Sequence, residues 1–486
     1  MRVQIFQRTV LIAVMLLMAL PIYAVSGAGS KFVESKKVIL DTSSAIDTLF
    51  RSFDRDDAPG CAVAVYRDGR TVFTGSYGLA NLDYGIPLTD SSRFYMASVS
   101  KQVTAAAAAL LVVRDELSLN DLVSDYLDDW PEWASKVRVR HLFYHTSGLP
   151  DIYDLMDISG TSLSNVMTID DYMSVFYNGE SLRDRPGASY SYTNSGYTAL
   201  ASLIEKITKT EFSVFVRDEL LEPLGMRETH FHDDRYRIIP NRVISYAPLS
   251  AQERDRLKEL QPGKRDAPTP PLFRQTYMGT FQGVGPGGLY SSLRDWQHWE
   301  NLWLDDNELP EEMLELRRLM RMQDVVDADT LDYGMGLQLE SWKGLTMEGH
   351  SGNFMGFKTD VRRFPEKGLA LLTLCNREDA NPSEKNRSLA RILLADEMEA
   401  YLKPYEGIYN NEELDVAYEL YVEDGALKLE RRLSPRGAMS EQEKDIWRAG
   451  SWEFEFQRDE QEVITGFVVS TGRAQDVAFE RRTDFR

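Results

Sequence analysis

A run of nine Ala, Leu and Val residues at 105–113, AAAAALLVV, leaves a helix no polar face to turn toward water. A helix that is apolar on every side is buried in the centre of a domain. The sequence therefore predicts a fold built around an internal helix. The chain has 486 residues, 43% of them hydrophobic, and is long enough for such a core and for a second domain.

A serine and a lysine stand at the start of this helix, in the segment SVSK at 98–101. Residues three apart share a helix face, so the Lys101 amine reaches the Ser98 hydroxyl. Burial lowers the pKa of a lysine, which then accepts the serine proton and activates the hydroxyl as a nucleophile. The backbone N–H of Ser98, at the helix start, is free to hold an oxyanion. The alternative is a plain helix start with Ser98 as cap, and Ser-x-x-Lys alone does not separate the two.

Strand patterns stand at both ends of residues 40–400, with helical patterns between them. The segment 60–78 predicts a hairpin that turns at Asp68-Gly69, and the segment 335–376 predicts three further strands. We therefore predict an α+β domain over 40–400, with an antiparallel sheet that combines both ends of the segment, flanking helices and a helical subdomain. Alternating apolar and polar residues after Pro404 predict a separate all-β domain over 404–486.

The first 28 residues have the layout of a signal peptide. Arg2 and Arg8 precede an apolar stretch at 9–24, and small residues follow it, with cleavage expected after Ala24 or Ala28. This predicts export to a periplasm or out of the cell. The alternative is an uncleaved membrane anchor, for which the stretch is short. A membrane is a partner only in that case.

The formal net charge is −21. So acidic a surface repels a phosphate backbone, which argues against nucleic acid as a partner.

Two cysteines, Cys61 and Cys375, each lie inside an apolar run. We expect two buried free thiols. A disulfide is the alternative, if the two strands are neighbours in an oxidising compartment.

The segment YSYTNSGY at 190–197 places Tyr192 and Asn194 two residues apart, on one side of an extended backbone. A phenol near a lysine ammonium has its pKa lowered and is able to move protons. An Asn amide is able to bind a substrate carbonyl or amide. By itself, a turn with a packing tyrosine explains the segment equally well.

The segment GHSGNFMGF at 349–357 carries His350 and Gly352 on a predicted strand. A glycine there lets a ligand approach the backbone closely. The N–H of Asn353 is a candidate second oxyanion donor. The alternative for His350 is a structural histidine.

The chain has six histidines, and two pairs of them are candidate metal ligands. His141 and His145 lie one helical turn apart, and His230 and His232 lie close by in sequence, but neither pair has a carboxylate placed as a base. The sequence therefore predicts no metal site.

Together these motifs, in their order along the chain, resemble the serine β-lactamase-related family, which includes class C β-lactamases, D-aminopeptidases, D-alanyl-D-alanine carboxypeptidases and esterases. The motifs are the segments 98–101, 139–151, 190–208, 220–231, 283–299 and 349–357. The resemblance covers about 43–400 and implies a β-lactamase/transpeptidase-like fold.

The resemblance implies a role for each matched residue. Ser98 is the acylated nucleophile, Lys101 assists its deprotonation, and Tyr192 is the general base and acid. Asn194 orients the substrate. His350, Ser351 and Gly352 occupy the third motif of the substrate site, and the backbone N–H groups of Ser98 and Asn353 form the oxyanion hole. It also implies that His145 is structural.

The third motif departs from the Lys-Thr-Gly of β-lactamases and penicillin-binding enzymes, because His350 stands where they carry a lysine. A lysine offers a fixed cation to a substrate carboxylate, whereas a histidine is mostly neutral near pH 7. His-x-Gly resembles the aminopeptidase and esterase branch, and efficient β-lactamase activity is not expected.

The tail after residue 404 resembles the lipocalin-like β-barrel appended to some of these hydrolases. The expected function of the whole chain is a serine hydrolase without a cofactor, which cleaves an amide of a small peptide, with D-residues allowed, or an ester. The alternatives are a penicillin-binding or β-lactamase-like enzyme and a non-catalytic sensor that keeps the fold. The sequence makes no prediction of oligomeric state.

Overall fold

The structure is a computed structural model that describes residues 42–161, 169–177, 179, 181–259, 272–276, 283–305, 309–326, 328–423, 425–431 and 434–482. The predicted signal peptide at 1–28 lies outside the described residues. Within the described ranges, no helix has both the length and the apolar character needed to cross a membrane.

The helices and strands alternate irregularly along the chain. The helices are α1 (42–50), α2 (Ser100–Val113), α3 (Val139–Phe143), α4 (Ile152–Ile158), α5 (Ile169–Tyr177), α6 (Asn194–Thr208), α7 (Phe212–Val216), α8 (Ala251–Glu259), α9 (Leu293–Leu304), α10 (Glu311–Met320), α11 (Pro382–Leu393) and α12 (Ala395–Leu402). The strands are β1 (Cys61–Arg67), β2 (Arg70–Tyr77), β3 (Leu79–Asn81), β4 (Ile86–Pro87), β5 (Phe94–Tyr95), β6 (His230–Phe231), β7 (Tyr246–Pro248), β8 (Phe273–Gln275), β9 (Leu289–Ser291), β10 (Val325–Val326), β11 (Asp329–Thr330), β12 (Gln338–Trp342), β13 (Leu345–Phe354), β14 (Phe357–Phe364), β15 (Leu369–Cys375), β16 (Gly407–Asn411), β17 (Val416–Glu423), β18 (Ala426–Arg431), β19 (Ser434–Ala438), β20 (Ser440–Glu443), β21 (Ile446–Ala449), β22 (Trp452–Arg458), β23 (Ile464–Ser470) and β24 (Val477–Arg481).

The main sheet has the order β12-β13-β14-β15-β1-β2, with every neighbouring pair antiparallel. β1 near the start of the domain pairs with β15 near its end, so the predicted sheet that joins both ends is confirmed. β1 and β2 turn at Asp68 and Gly69, whose φ angles of 50° and 72° are those of a type I′ hairpin. The segment 335–376 holds four strands rather than three, because Lys343 and Gly344 also adopt positive φ and form a tight turn.

Helix α2 lies inside the domain, as the apolar run predicts. Every residue from 100 to 111 is buried, and the helix contacts α6 and α10. Alanine side chains allow this close packing because they add little bulk between neighbouring backbones. The helix start is therefore held rigidly from several directions.

The expectation of two free thiols is wrong, because Cys61 and Cys375 form a disulfide. They are directly opposite residues of β1 and β15, with a Cα–Cα distance of 4.1 Å. The two cysteines are 314 residues apart in the sequence, so no local pattern predicts this pairing.

A buried ion pair ties the main sheet to helix α9. Arg363 of β14 donates from Nε and Nη2 to both carboxylate oxygens of Glu300, at 2.6 and 2.8 Å, and both side chains are fully buried. Trp296 Nε1 also donates to Glu300, at 2.7 Å. The charge of each partner is therefore compensated inside the protein.

The residues after Pro404 form an antiparallel sheet with the order β19-β18-β17-β16-β24-β23-β22-β21-β20. Its two outer strands, β19 and β20, are separated in sequence only by Met439, so the sheet curls into a nearly closed barrel. Stacked rings fill the interior, among them Phe467 and Phe479 with centroids 4.9 Å apart. This architecture confirms the predicted all-β fold of the tail.

The barrel packs against the domain that contains the main sheet. The apolar cluster that includes Phe50 of α1 and Leu389 of α11 continues into the barrel interior. Glu441 of β20 pairs with Lys343 and accepts a hydrogen bond from Tyr401. The contact lies at α11, α12 and the turn between β12 and β13.

Candidate active site

Ser98 lies in a single 3-10 turn, Ala97–Val99, that leads directly into α2. Ala97 has a φ of 49°, a left-handed conformation that costs a non-glycine residue about 1–2 kcal/mol. Strained backbone of this kind persists where the surrounding structure holds it. Here β9 on one side and β13 and β14 on the other hold the turn, through Met96 N–H to Leu289 O at 2.8 Å and Thr359 Oγ1 to Met96 O at 2.9 Å.

The Lys101 ammonium group reaches Ser98, as the spacing predicts. Its Nζ lies 3.1 Å from Ser98 Oγ, 2.8 Å from Asn194 Oδ1 and 3.0 Å from the carbonyl oxygen of Pro286. Burial lowers the pKa of Lys101 to about 7, against a smaller raising effect of the Asp151 carboxylate. Near neutral pH, a neutral amine beside the serine hydroxyl is therefore accessible to Lys101.

Asn194 bridges Lys101 to a carboxylate. Its Oδ1 accepts from Lys101, while its backbone N–H and its Nδ2 donate to Asp151 Oδ2 at 2.6 and 2.9 Å. Asp151 is itself fixed as the N-cap of α4, accepting from Tyr153 N. The amide orientation is set by these partners, which leaves one N–H and one lone pair of Asn194 for a substrate.

Tyr192 lies two residues before α6 and faces the same cleft as Ser98. Its ring centroid lies 4.9 Å from Lys101 Nζ. The residue is 38% exposed in the cleft, but its surroundings desolvate a phenolate, and this burial raises the pKa of Tyr192. The structure thus differs from the expected lowering, and it leaves Lys101 as the group better suited to take the serine proton.

The third motif lies on the part of β13 that extends beyond the end of its pairing with β12. β12 pairs with β13 only as far as Gly349, so residues 350–354 have β14 on one side and an open edge on the other. The two-residue turn Met355-Gly356, with φ angles of 43° and 85°, closes the β13–β14 hairpin on the pair Phe354–Phe357. The alternation of an antiparallel ladder then turns the Asn353 N–H away from β14, to the open edge.

Gly352 is required by the protein's own backbone. A Cβ atom there would lie 2.6 Å from Met96 O and 2.2 Å from Thr359 Oγ1. The glycine thus allows β13 to lie against the turn that carries Ser98. The approach of a ligand to this glycine stays a prediction.

His350 is buried and its ring is occupied by protein partners. Its Nδ1 donates to the carbonyl of Ser351 at 2.6 Å, so its Nε2 accepts from the Tyr333 hydroxyl at 3.0 Å. Burial and the nearby Lys101 lower the pKa of His350 to about 3. A neutral His350 supplies no cation to a substrate carboxylate.

His145 is a structural residue in this arrangement. It is buried among tyrosine rings, with its ring centroid 4.3 Å from that of Tyr192, and its Nδ1 accepts from Thr193 N–H at 3.1 Å. Burial lowers its pKa well below the usual range. The neutral ring supports the loop that carries Tyr192.

A cleft of about 890 Å³ brings the predicted residues together. It is called the active-site cleft below and is lined by Ser98, Tyr190, Tyr192, Asn194, Gln338, His350, Ser351, Gly352, Asn353, Lys358, Thr359 and residues 379–383. Lys101 lies beneath its floor, fully buried. Among the described residues, no group of three or more His, Cys, Asp or Glu side chains is placed to hold a metal ion.

Sequence reasoning missed several members of the site. Asp151, which orients Asn194, entered the sequence analysis only as the last residue of the segment 139–151, although its position before α4 is that of an N-cap. The Pro286 carbonyl carries no side-chain signal, and the link from Tyr333 to His350 is a tertiary contact. Lys358 was read only as a strand residue.

Comparisons with known proteins agree on one family. The family model described as Beta-lactamase matches residues 46–396. A D-aminopeptidase of Brucella anthropi is 27% identical over 336 residues, which are 69% of this chain and 59% of the relative. Penicillin-binding protein 4* of Bacillus subtilis is 27% identical over 365 residues, 74% of this chain and 76% of the relative. The chain thus spans less than two thirds of the length of the D-aminopeptidase.

Solved structures show the same fold. The octameric penicillin-binding protein homologue from Pyrococcus abyssi superposes with a TM-score of 0.60 at 20% identity, covering 91% of this chain and 100% of that one. The D-amino acid amidase from Ochrobactrum anthropi, in complex with D-phenylalanine, superposes with a TM-score of 0.55 at 21% identity, covering 73% and 99%. The lipocalin-like identity of the barrel and the roles of the individual site residues stay predictions.

Proposed function

This chain belongs to the Beta-lactamase family, and from that premise we propose that it is an exported serine hydrolase that cleaves an amide of a small peptide, or an ester, through an acyl-enzyme on Ser98. One observation carries the proposal. The Lys101 amine, with a pKa lowered to about 7, lies 3.1 Å from the Ser98 hydroxyl. A buried lysine in that state is a general base in contact with its nucleophile.

Acylation begins when neutral Lys101 takes the Ser98 proton. The Ser98 oxygen then forms a bond to the substrate carbonyl carbon, and the carbonyl oxygen becomes an oxyanion. The N–H groups of Ser98 and Asn353 are the proposed donors to that oxyanion. As the intermediate collapses, the carbon–nitrogen or carbon–oxygen bond breaks, and the leaving group takes a proton from Lys101 by way of the Tyr192 hydroxyl.

Deacylation repeats the same proton transfers, with a water molecule as the nucleophile. A water molecule loses a proton to the Lys101–Tyr192 pair and attacks the ester carbon of the acyl-enzyme. The bond to Ser98 breaks, and Ser98 recovers its proton. The raised pKa of Tyr192 suits a hydroxyl that passes protons while it remains neutral. The acid product then leaves the cleft.

The substrate class rests on the relatives and on the third motif. Relatives named D-aminopeptidase and D-amino acid amidase support an amide with a D-residue. Neutral His350, bound to Tyr333, supplies no cation where the related penicillin enzymes carry a lysine. We therefore propose that penicillin is a poor substrate.

Export is supported by two features. One is the signal-like layout of residues 1–28. The other is the Cys61–Cys375 disulfide, since such bonds form and persist mainly in oxidising compartments.

The test is hydrolysis of a panel of D-aminoacyl amides, short esters and a chromogenic cephalosporin by the parent enzyme and by Ser98→Ala. We expect the variant to lose turnover on every substrate that the parent cleaves. Ser174→Ala is the matched control, because Ser174 is an exposed residue of α5 outside the cleft. Retained turnover in Ser98→Ala would overturn the proposal.

The panel also separates the alternatives. A metal hydrolase would lose activity with a chelator and be indifferent to Ser98→Ala. A sensor would become acylated on Ser98 without turnover.

A further inference from the structure

We infer that a side pocket of the active-site cleft binds an ammonium group carried by the leaving part of the substrate, with Asp332 as its counter-ion. The side pocket has a volume of about 490 Å³ and is lined by residues 330–333 together with Tyr190, Gln338 and Glu340. The inference deepens the proposed function and rests on it, because it names the class of leaving group that the enzyme prefers.

The side pocket adjoins the end of the cleft from which the leaving group departs. Tyr190 and Gln338 line both the cleft and the side pocket. In the proposed mechanism the leaving group takes its proton from the Tyr192 hydroxyl, so it lies beside Tyr192 as it departs. The ring of His350 lies 6.1 Å from that of Tyr192 and hydrogen-bonds to Tyr333 in the wall of the side pocket. The substrate beyond the scissile bond therefore extends from Tyr192 toward this pocket.

Main-chain bonds hold the two walls of the side pocket. Tyr333 and Gln338 form an antiparallel bridge, and the Leu339 N–H donates to Asp332 O at 3.0 Å. Gln338 is also the first residue of β12 and pairs with Gly349, directly before the third motif. The backbone of the pocket is therefore in place before a ligand binds, which lowers the cost of binding.

One carboxylate of the side pocket has no partner in the protein. Asp332 and Glu340 line the pocket, and no Lys or Arg does so among the described residues. Glu340 is already paired with Arg362 at 2.9 Å and with Arg387 at 3.4 Å. Asp332 makes no side-chain hydrogen bond or ion pair within the described part of the chain. Its negative charge is therefore available to a cation.

Gln338 and two aromatic rings complete a site for an ammonium group. Gln338 Oε1 is buried and accepts no hydrogen bond within the described ranges. A buried acceptor without a donor is unfavourable, so a ligand that brings an N–H offsets this cost. The rings of Tyr190 and Tyr333 lie 6.0 Å apart, and aromatic faces attract cations. An ammonium group supplies the charge and the donors that these groups lack.

The same pocket disfavours a carboxylate on the leaving group. The departing nitrogen of penicillin is bonded to a carbon that carries a carboxylate. Asp332 repels such a group, and neutral His350 supplies no cation to offset the repulsion. The inference therefore agrees with the proposal that penicillin is a poor substrate.

The test compares leaving groups that differ only in one terminal group. The acyl group that the parent enzyme cleaves in the panel above is joined to para-(aminomethyl)aniline and to para-ethylaniline, and as esters to the corresponding phenols. Each pair ends in an ammonium or in a methyl group of similar size. We expect the ratio of kcat/KM, cationic over neutral, to be roughly tenfold higher in the parent than in Asp332→Asn, as for a charge-assisted hydrogen bond. Differences in intrinsic reactivity cancel, because both enzymes receive the same substrates.

Two further comparisons separate charge from shape. The ratio in the parent should fall as ionic strength rises, because salt screens the attraction. In Asp332→Lys the preference should reverse, so that a para-(carboxymethyl) leaving group is cleaved faster than the neutral one. Asp476→Asn is the matched control, because this exposed barrel residue lines neither the cleft nor the side pocket, and it should leave the ratio unchanged.

Equal ratios in the parent and in Asp332→Asn, or a parent that leaves the cationic substrates uncleaved, would overturn the inference. Labelling with an uncharged fluorophosphonate reports that each variant is folded and separates the inference from its premise. Labelling of Ser98 and turnover of the panel, together with equal ratios, refutes the role of Asp332 and leaves the proposed function standing. Failure of Ser98 to label, with no substrate cleaved, refutes both.

Discussion

Replacing Lys101 by methionine should abolish activity, and the stability of the variant relative to the parent should rise as pH falls from 10 to 7. Lys101 is fully buried, and its pKa falls from 10.5 to about 7, chiefly because burial disfavours the charged form. The unfolded chain solvates the ammonium freely, so every protonated Lys101 in the folded state carries a desolvation cost. Methionine has a similar length and carries no charge.

The size of the effect follows from the shift. A folded pKa below the unfolded value means that the cost is absent above pH 10.5, grows as pH falls through the window from 10.5 to 7, and is complete below 7. At pH 7 it amounts to about 4 kcal/mol. The variant also strips donors from Asn194 Oδ1 and Pro286 O, which costs about 1–3 kcal/mol for each acceptor at any pH. At pH 7 the two opposing contributions are therefore of similar size, and the difference in stability is read from its change with pH.

The pH dependence is the sharper prediction, because the lost hydrogen bonds cancel from it. Between pH 10 and pH 7, the stability of Lys101→Met relative to the parent should rise by about 3 kcal/mol. Parallel urea denaturation at several pH values, followed by tryptophan fluorescence, measures this difference. Lys444→Met, with an exposed lysine, should show no such trend. A stability difference for Lys101→Met that stays constant with pH would refute the assigned cost.

Three further predictions concern the same protein. The rate of Ser98 labelling by a fluorophosphonate should fall about tenfold per pH unit below 7, because protonated Lys101 cannot accept the serine proton; a rate that stays flat from pH 8 to 5 would argue against Lys101 as the base. Glu300→Ala should lower the free energy of unfolding by about 3–5 kcal/mol, because it leaves Arg363 buried and unpaired. Adding Arg363→Met should recover part of that loss in urea denaturation, and a double variant no more stable than the single one would contradict this reading. Replacing Cys61 and Cys375 by alanine should cost about 2–5 kcal/mol, seen as a lower thermal midpoint, whereas an unchanged midpoint would show that the bridge adds nothing.

Local sequence patterns predicted most of the fold. The apolar run of α2 and the Asp68-Gly69 hairpin were readable because each depends on neighbouring residues. The disulfide was not readable, since it depends on β1 and β15 becoming neighbours across 314 residues. The Lys343-Gly344 turn was missed because a lysine at positive φ gives only a weak turn signal.

In the site, too, local features were predictable and tertiary contacts were not. Ser98 and Lys101 were readable from an i, i+3 spacing on one helix. The lowered pKa of Lys101 was predicted from its expected burial. The raised pKa of Tyr192 was not predicted, because it depends on packing from several elements. The ring of His350 is occupied by Tyr333, and that contact joins residues whose proximity no local pattern encodes.

The chemical identity of the nucleophile is the most direct test of the whole account. The measurement is intact mass of the protein after incubation with a fluorophosphonate and, separately, with penicillin, followed by peptide mapping of any adduct. The account predicts one fluorophosphonate adduct on Ser98, none in Ser98→Ala, and slow or absent acylation by penicillin. An adduct on another residue, or equal labelling of Ser98→Ala, would contradict it.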